Sequence, residues 1–146
     1  MEKSLILKEM FLNEFGLEEQ DLRTYSPLTL AYIGDAIFEL VVRTVLVERK
    51  NMQPEKLHKA ATKIVKAETQ SLMIEGLKEE LTEEELAVFK RGRNAKAVTR
   101  AKNASMSDYR RATGFEALMG YLYLKGDIER MIRLISMGVE KAEVTL

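Results

Sequence analysis

Residues 30–40 read LAYIGDAIFEL, an almost entirely apolar stretch that also contains a glycine, Gly34, and two acids. Shortly before it, Ser26 and Pro27 form a helix start, because serine caps helix N-termini and proline suits the first helical position. No further proline divides the chain before Lys50, so the sequence predicts one helix of about 23 residues. Because most of its sides are apolar, we expect this helix to be central and buried.

Capping and breaking residues predict that the rest of the chain is helical as well. Pro54 begins a second helix, whose apolar stripe runs to Leu72, and Thr82 with Glu85 forms a capping box for a third. The sequence therefore predicts an all-α fold in a single domain. The remaining predicted helices cover about residues 4–14, the segment from Ser107 or Asp108 to Leu124, and the segment that follows Asp127.

Composition limits the kinds of site that the protein can build. The chain has 146 residues, no cysteine and one histidine, which excludes disulfides, thiolate zinc sites and metal sites made of several histidines. The N-terminal residues lack the apolar core of a signal peptide. The longest apolar run, residues 40–47, is interrupted by Arg43 and is too short to span a bilayer. We therefore expect a cytoplasmic protein.

Charge is distributed unevenly, although the formal net charge is zero. Residues 90–111 contain eight Lys and Arg side chains and one acid, a net charge of +7, so the remaining residues carry −7. Such a basic segment is either a binding surface for a polyanion such as nucleic acid or a solvated face. The charge alone leaves both interpretations open.

The acids inside the apolar stretch need an explanation. They lie on a polar stripe that follows the predicted helix at four-residue steps. Within this stripe Glu39 can pair with Arg43, but Asp35 has no cation one turn before it. A buried carboxylate without a partner costs several kcal/mol or takes up a proton. The stripe consists of Ala31, Asp35, Glu39 and Arg43.

A second apolar stretch, TGFEALMGYLYL, shows the same anomaly with Glu116. Glycine inside a helix costs about 1 kcal/mol relative to alanine, so Gly34, Gly114 and Gly120 indicate that two helix backbones cross closely. This crossing would bring Asp35 and Glu116 together. A shared divalent cation would then explain the pair, since hard cations such as Mg²⁺ prefer carboxylate oxygens. Ion pairs with basic residues of other helices are the other explanation, and the residues alone leave both open.

Two motifs of the chain resemble the signatures of the ribonuclease III family. LAYIGDAIFELVV resembles the first signature helix of these enzymes, and FEALMGYLYL resembles the second. RGRNAKA at 91–97 and YRRATGFEAL at 109–118 resemble a short bacterial branch of the family, Mini-ribonuclease III. The resemblance implies an all-α, ribonuclease III-like catalytic domain over residues 1–146, without a domain that binds double-stranded RNA.

The resemblance also implies an activity. Members of this family are homodimeric, magnesium-dependent endoribonucleases that cleave double-stranded RNA and leave a 5′-phosphate. For the short branch, the implied substrate is precursor 23S ribosomal RNA, whose ends it matures, and a large-subunit ribosomal protein is an implied partner. Asp35 and Glu116 match two of the four family acids, so they are the implied catalytic residues and Mg²⁺ ligands.

The chain departs from the family pattern at the other two acidic positions, which hold Ala31 and Thr113. This difference motivates an alternative, a non-catalytic dimer that binds RNA or the ribosome and retains the fold. The retained Asp35 and Glu116 favour the enzyme, because a binding protein has no need for acids in an apolar crossing. In the enzyme, the basic segment would contact phosphates of the RNA backbone. The candidate RNA-binding residues are Arg91, Arg93, Lys96, Arg100, Lys102, Arg110 and Arg111.

Overall fold

The computed structural model describes residues 3–95 and 105–146. This part of the chain contains α-helices, two short 3-10 helices and no strand, which confirms the predicted all-α fold. None of its helices is both long enough and apolar enough to cross a membrane. The α-helices are α1 (Lys3–Glu14), α2 (Pro27–Arg49), α3 (Pro54–Val65), α4 (Ala67–Leu77), α5 (Glu83–Asn94), α6 (Met106–Lys125) and α7 (Ile128–Lys141).

Helix α2 has the predicted boundaries but not the predicted central position. Its N-cap is Ser26, whose hydroxyl accepts a hydrogen bond from the Thr29 amide at 3.1 Å. One side of α2 contacts the core, whereas the opposite side is open to solvent and carries Tyr32, which is 82% exposed, and Leu40. The expectation of a buried central helix was therefore wrong, because only one of the apolar sides of α2 is covered by the described residues.

The central helix is α6, which packs against α2, α4, α5 and α7. Phe115 and Leu118 of α6 are completely buried. The N-cap of α6 is Ser105 rather than either predicted cap, Ser107 or Asp108, and its hydroxyl accepts a hydrogen bond from the Asp108 amide at 3.0 Å. Gly126 ends the helix, as predicted, with a left-handed φ of 88°.

The predicted helix after Pro54 is divided in two. Lys66 adopts an extended conformation, with φ −68° and ψ 155°, and separates α3 from α4. The break changes the face that α4 turns to the core, so that Leu72 is 58% exposed while Thr69 and Gln70 are buried. The prediction of one continuous apolar stripe as far as Leu72 was therefore wrong.

Helix α5 begins with the predicted capping box. The Thr82 hydroxyl accepts from the Glu85 amide at 3.1 Å, and the Glu85 carboxylate accepts from the Thr82 amide at 2.9 Å. Glu85 also forms a buried ion pair with Arg130 of α7 at 2.8 Å. The guanidinium of Arg130 holds the pKa of the Glu85 carboxyl below its usual value. The cap thus also ties the start of α5 to α7.

Candidate active site

Helices α2 and α6 cross in direct backbone contact. A Cβ atom at Gly34 would lie 1.7 Å from the carbonyl oxygen of Glu116, and one at Gly120 would lie 2.0 Å from the carbonyl oxygen of Leu30. Only glycine fits at these two positions, because any side chain would occupy the space of the opposite backbone. The close crossing predicted from Gly34 and Gly120 is therefore confirmed.

Gly114 belongs to a different contact from the one predicted. A Cβ atom at Gly114 would lie 2.7 Å from the carbonyl oxygen and from the ring of Phe89 on α5. Gly92 of α5 faces it, and a Cβ atom at Gly92 would lie only 2.9 Å from the Gly114 Cα. These two glycines bring α5 against α6, so Gly114 does not provide space for the crossing with α2.

The crossing places the two acids of the apolar stretches beside each other. Asp35 follows Gly34 and is exposed, whereas Glu116 on the facing turn of α6 is half-buried. Burial raises the pKa of Glu116 to about 8, and the charge of Asp35 and a hydrogen bond between the two carboxyl groups contribute further. The structure therefore brings together Asp35 and Glu116, the two residues proposed from the sequence as a carboxylate pair.

Neither carboxylate has a basic partner in the described part of the chain. No Lys or Arg side chain there forms an ion pair with Asp35 or Glu116. By contrast, Glu39 pairs with Arg43 one turn further along α2, as predicted. Within the described residues, the structural ion pair considered for Asp35 and Glu116 is not formed.

One neutral side chain contacts the pair. The amide nitrogen of Gln70, on α4, donates a hydrogen bond to Oε2 of Glu116 at 3.3 Å. This bond favours the charged form of Glu116 and opposes the effect of burial on its pKa. Gln70 was not predicted from the sequence, because it lies between Thr69 and Ser71 and nothing there indicates a buried side chain.

Ala31 and Thr113 contribute no ligand to the pair. Ala31 is buried in a small apolar cluster with Val88 and Ala117. Thr113 is also buried, and its hydroxyl donates to the carbonyl oxygen of Tyr109 at 3.0 Å. The described residues contain no group of three or more His, Cys, Asp or Glu side chains that could hold a metal ion. The acidic part of the site therefore consists of two carboxylates.

Two of the candidate RNA-binding residues are free for an external partner. Arg91 at the end of α5 and Arg110 near the start of α6 are exposed. Arg110 lines a shallow surface cavity together with other polar and basic side chains, among them Lys78, which was not among the candidates from the sequence. The candidates Lys96, Arg100 and Lys102 lie outside the described residues.

Two other candidates have partners inside the protein. The guanidinium of Arg93 lies over the ring of Phe89, with its central carbon 5.6 Å from the ring centroid. Arg111 forms an ion pair with Glu75 of α4 at 3.3 Å and donates a hydrogen bond to the Ser71 hydroxyl at 3.4 Å. Both side chains line the same cavity as Arg110, so they border the basic surface and also stabilise the fold.

Comparison with known proteins agrees with this arrangement. Residues 28–127 match the family model described as the Ribonuclease III domain. The chain belongs to the ribonuclease III family. A relative from Clostridium tetani named Mini-ribonuclease 3 is 46% identical over 138 residues, which cover 94% of this chain and 91% of the relative. Another of that name, from a Thermoanaerobacter species, is 41% identical and covers 98% of this chain and 99% of the relative.

A solved structure supports the fold of this ribonuclease III family member. The X-ray crystal structure of a protein from Fusobacterium nucleatum superposes with a TM-score of 0.76 at 34% identity, covering 86% of this chain and 99% of that one. Together with the relatives named Mini-ribonuclease 3, it confirms the resemblance that the two signature stretches indicate. Membership of the ribonuclease III family makes the chain an endoribonuclease.

The residues of the site fit the divalent metal cation that the ribonuclease III family implies. Two carboxylates that face each other without a basic partner repel when both are charged, and a hard cation bound between them removes this repulsion. Oxygen ligands of this kind suit Mg²⁺, Mn²⁺ and Ca²⁺. Burial, followed by the charge of Asp35, raises the pKa of Glu116, and a cation bound there would oppose both effects.

Proposed function

We propose that the protein is a magnesium-dependent endoribonuclease that cleaves double-stranded RNA, with Asp35 and Glu116 as its metal ligands. The observation that carries the proposal is the unpaired carboxylate pair at the glycine crossing of α2 and α6. Mg²⁺ retains several of its waters and is commonly bound by only one or two carboxylates together with substrate phosphates. A two-carboxylate site in a ribonuclease therefore suits this ion.

The chain's own groups have distinct tasks in this reaction. A cation held by Asp35 and Glu116 would supply Lewis acidity toward a phosphate oxygen and make water more acidic. Attack of water on phosphorus with departure of the 3′ oxygen would leave a 5′-phosphate on one product and a 3′-hydroxyl on the other. Asp35 is exposed, so a phosphate of an RNA duplex can approach it from solvent. Glu116 lies deeper and is held from behind by Gln70. No side chain has to act as a nucleophile.

The basic surface would hold the RNA duplex through its phosphates. We propose Arg91 and Arg110 as the principal contacts of the described part, because both are exposed and neither forms an ion pair there. Phosphate contacts provide affinity without reading the sequence, which suits A-form RNA, whose deep groove excludes side chains. Lys96, Arg100 and Lys102 remain proposed contacts. Arg93 and Arg111 have partners inside the protein, so they would act mainly by holding the basic surface in place.

The functional unit would be a homodimer. The solvent-facing side of α2 carries large apolar side chains, including Tyr32, Leu40 and Val47, at a spacing that places them on one face. Exposed apolar surfaces of this kind mark protein interfaces. Asp35 adjoins this face, so a second copy packed on α2 would place two active sites near each other. Two neighbouring sites would allow both strands of one duplex to be cut.

As the biological substrate we propose the ends of precursor 23S ribosomal RNA in the cytoplasm, with a large-subunit ribosomal protein as a further partner. This part of the proposal rests on the resemblance to Mini-ribonuclease III. We also propose that residues 1–146 act as one ribonuclease III-like catalytic domain. Electrostatic contacts to phosphates do not select a particular sequence, so the partner would supply selectivity for the ribosomal substrate.

One cleavage experiment tests the central proposal. Long double-stranded RNA is incubated with the protein in Mg²⁺ or in excess EDTA, and Asp35→Asn and Glu116→Gln are compared with Glu39→Gln. Because loss of a ligand removes several kcal/mol of charge stabilisation, we expect both site variants to lose roughly 100-fold or more in rate. Glu39→Gln, which removes only an ion pair with Arg43, should remain close to wild type. A wild-type rate in either site variant, or unchanged cleavage in EDTA, contradicts the metal assignment. Binding of the duplex without any cleavage would favour the non-catalytic alternative.

A further inference from the structure

The break between α3 and α4 leaves backbone carbonyl groups without their usual helical donors. Lys66 is extended, so the last carbonyl groups of α3 cannot be paired by a continuing helix. Two consecutive residues of α4 turn back to pair with them. The Thr69 hydroxyl donates to the Lys63 carbonyl oxygen at 2.6 Å, and the Gln70 amide nitrogen donates to the Val65 carbonyl oxygen at 2.7 Å.

The hydrogen bond to Val65 determines which way the Gln70 amide faces. A carbonyl oxygen accepts only from a donor, so the nitrogen of the amide must point toward Val65. The same nitrogen then presents its second hydrogen to Oε2 of Glu116. Gln70 is 1% exposed, and its own Oε1 has no hydrogen-bond partner among the described residues. A buried unpaired acceptor is unfavourable for stability, so the bond to Val65 is made at a cost, and the bond to Glu116 is the second contact that this amide makes.

We infer that Gln70 is a positioning residue, which holds the Glu116 carboxylate in the orientation that binds the cation. Its buried amide holds Oε2, which leaves the other oxygen of the carboxyl group available to a cation. Hydrogen bonds from a second layer of residues orient ligands and affect metal affinity in this way in many proteins. The inference rests on the proposed role of Glu116 as a ligand and extends it to the residue behind it.

The test compares Gln70→Met with Thr69→Val. Methionine has a similar length but no donor, so it removes the bond to Glu116 and the bond to the Val65 carbonyl oxygen. Valine has the shape of threonine and removes the hydrogen bond from Thr69 to the Lys63 carbonyl oxygen at the end of α3. No carboxylate loses a hydrogen bond in this variant. The readouts are Mn²⁺ binding to the RNA-free protein by electron paramagnetic resonance, kcat and KM for double-stranded RNA, and thermal unfolding in EDTA.

For Gln70→Met we expect Mn²⁺ affinity and kcat each to fall by about 10- to 100-fold, with KM nearly unchanged. Its unfolding temperature in EDTA should be close to that of Thr69→Val, because each variant loses one hydrogen bond to the end of α3. Thr69→Val should keep both affinity and kcat. Wild-type Mn²⁺ affinity in Gln70→Met overturns the inference, as does an equal loss in Thr69→Val. Glu116→Gln is measured in parallel: if it cleaves at a wild-type rate, the proposed ligand role itself fails, and that outcome is distinct from a failure at Gln70 alone.

Discussion

Replacing Glu116 by glutamine should remove a pH dependence of stability that originates in this carboxyl group. Burial, followed by the charge of Asp35, raises the pKa of Glu116 from 4.5 to about 8. Between these values the native protein retains a proton that the unfolded chain releases. The contribution of the group to stability is therefore complete below about pH 4.5, declines as the pH rises, and is lost above about pH 8.

The size of the effect follows from the difference between the two pKa values. One pKa unit corresponds to about 1.4 kcal/mol, so the free energy of unfolding should change by up to roughly 5 kcal/mol across this range. Glutamine does not titrate, so Glu116→Gln should gain stability relative to wild type as the pH rises. Asp35→Asn removes the second cause and leaves burial in place, so this variant should retain the larger part of the pH dependence.

Urea unfolding followed by circular dichroism in EDTA, from about pH 5 to about pH 9, measures these free energies. In a separate series without EDTA, at the highest pH, Mn²⁺ at 100 times its Kd should stabilise the wild type by about 2.7 kcal/mol and Glu116→Gln by less. Parallel stability curves for wild type and Glu116→Gln would refute the reasoning. The carboxyl group would then titrate in the native protein as it does in the unfolded chain.

Three further variants test the surfaces and the crossing. Arg91→Ala combined with Arg110→Ala should weaken binding to duplex RNA. The slope of log K against log salt concentration should fall by about one unit for each phosphate that is no longer bound. An unchanged slope in filter-binding titrations would place the RNA elsewhere. Gly34→Ala should lower both the unfolding temperature and the rate of cleavage, the latter by about 100-fold, because its Cβ would lie 1.7 Å from a backbone oxygen. Gly138→Ala, whose Cβ would meet only side-chain atoms at 3.1 Å or more, is the control, and equal effects of both changes would argue against a special role for the crossing. Leu40→Asp should convert the proposed dimer into a monomer in light scattering, and a monomeric wild type would contradict the proposed interface.

The sequence predicted correctly those features that depend on residues with a strong preference for one local structure. Ser26 and Pro27 determine where α2 begins, and Gly126 determines where α6 ends, because each has a strong local preference. Gly34 and Asp35 are unusual in an apolar helix, so together they indicated both the crossing and the site. The crossing and the proximity of Asp35 and Glu116 were predicted correctly because glycine and an unpaired acid are each unfavourable there without a tertiary reason.

The break at Lys66 could not be predicted in the same way. Neither proline nor glycine occurs there, and both Lys66 and the following alanine favour helices. The extended residue is stabilised instead by Thr69 and Gln70, whose hydrogen bonds reach the end of α3. Such bonds depend on the position of α4 in the folded protein, so periodicity did not reveal them. Gln70 was missed for the same reason.

Glu116 contributes to the fold and to the proposed chemistry through different atoms. Its backbone carbonyl lies against Gly34 at the crossing, while its carboxyl group faces Asp35 and Gln70. A change of its side chain should therefore affect the site and leave the crossing intact, whereas a change of Gly34 should affect both. A site with four acids retains three when one moves, but a site with two acids loses half of its ligands. The position of each carboxylate must therefore be held more closely here, which gives a physical reason for the two-glycine crossing and for the buried amide behind Glu116.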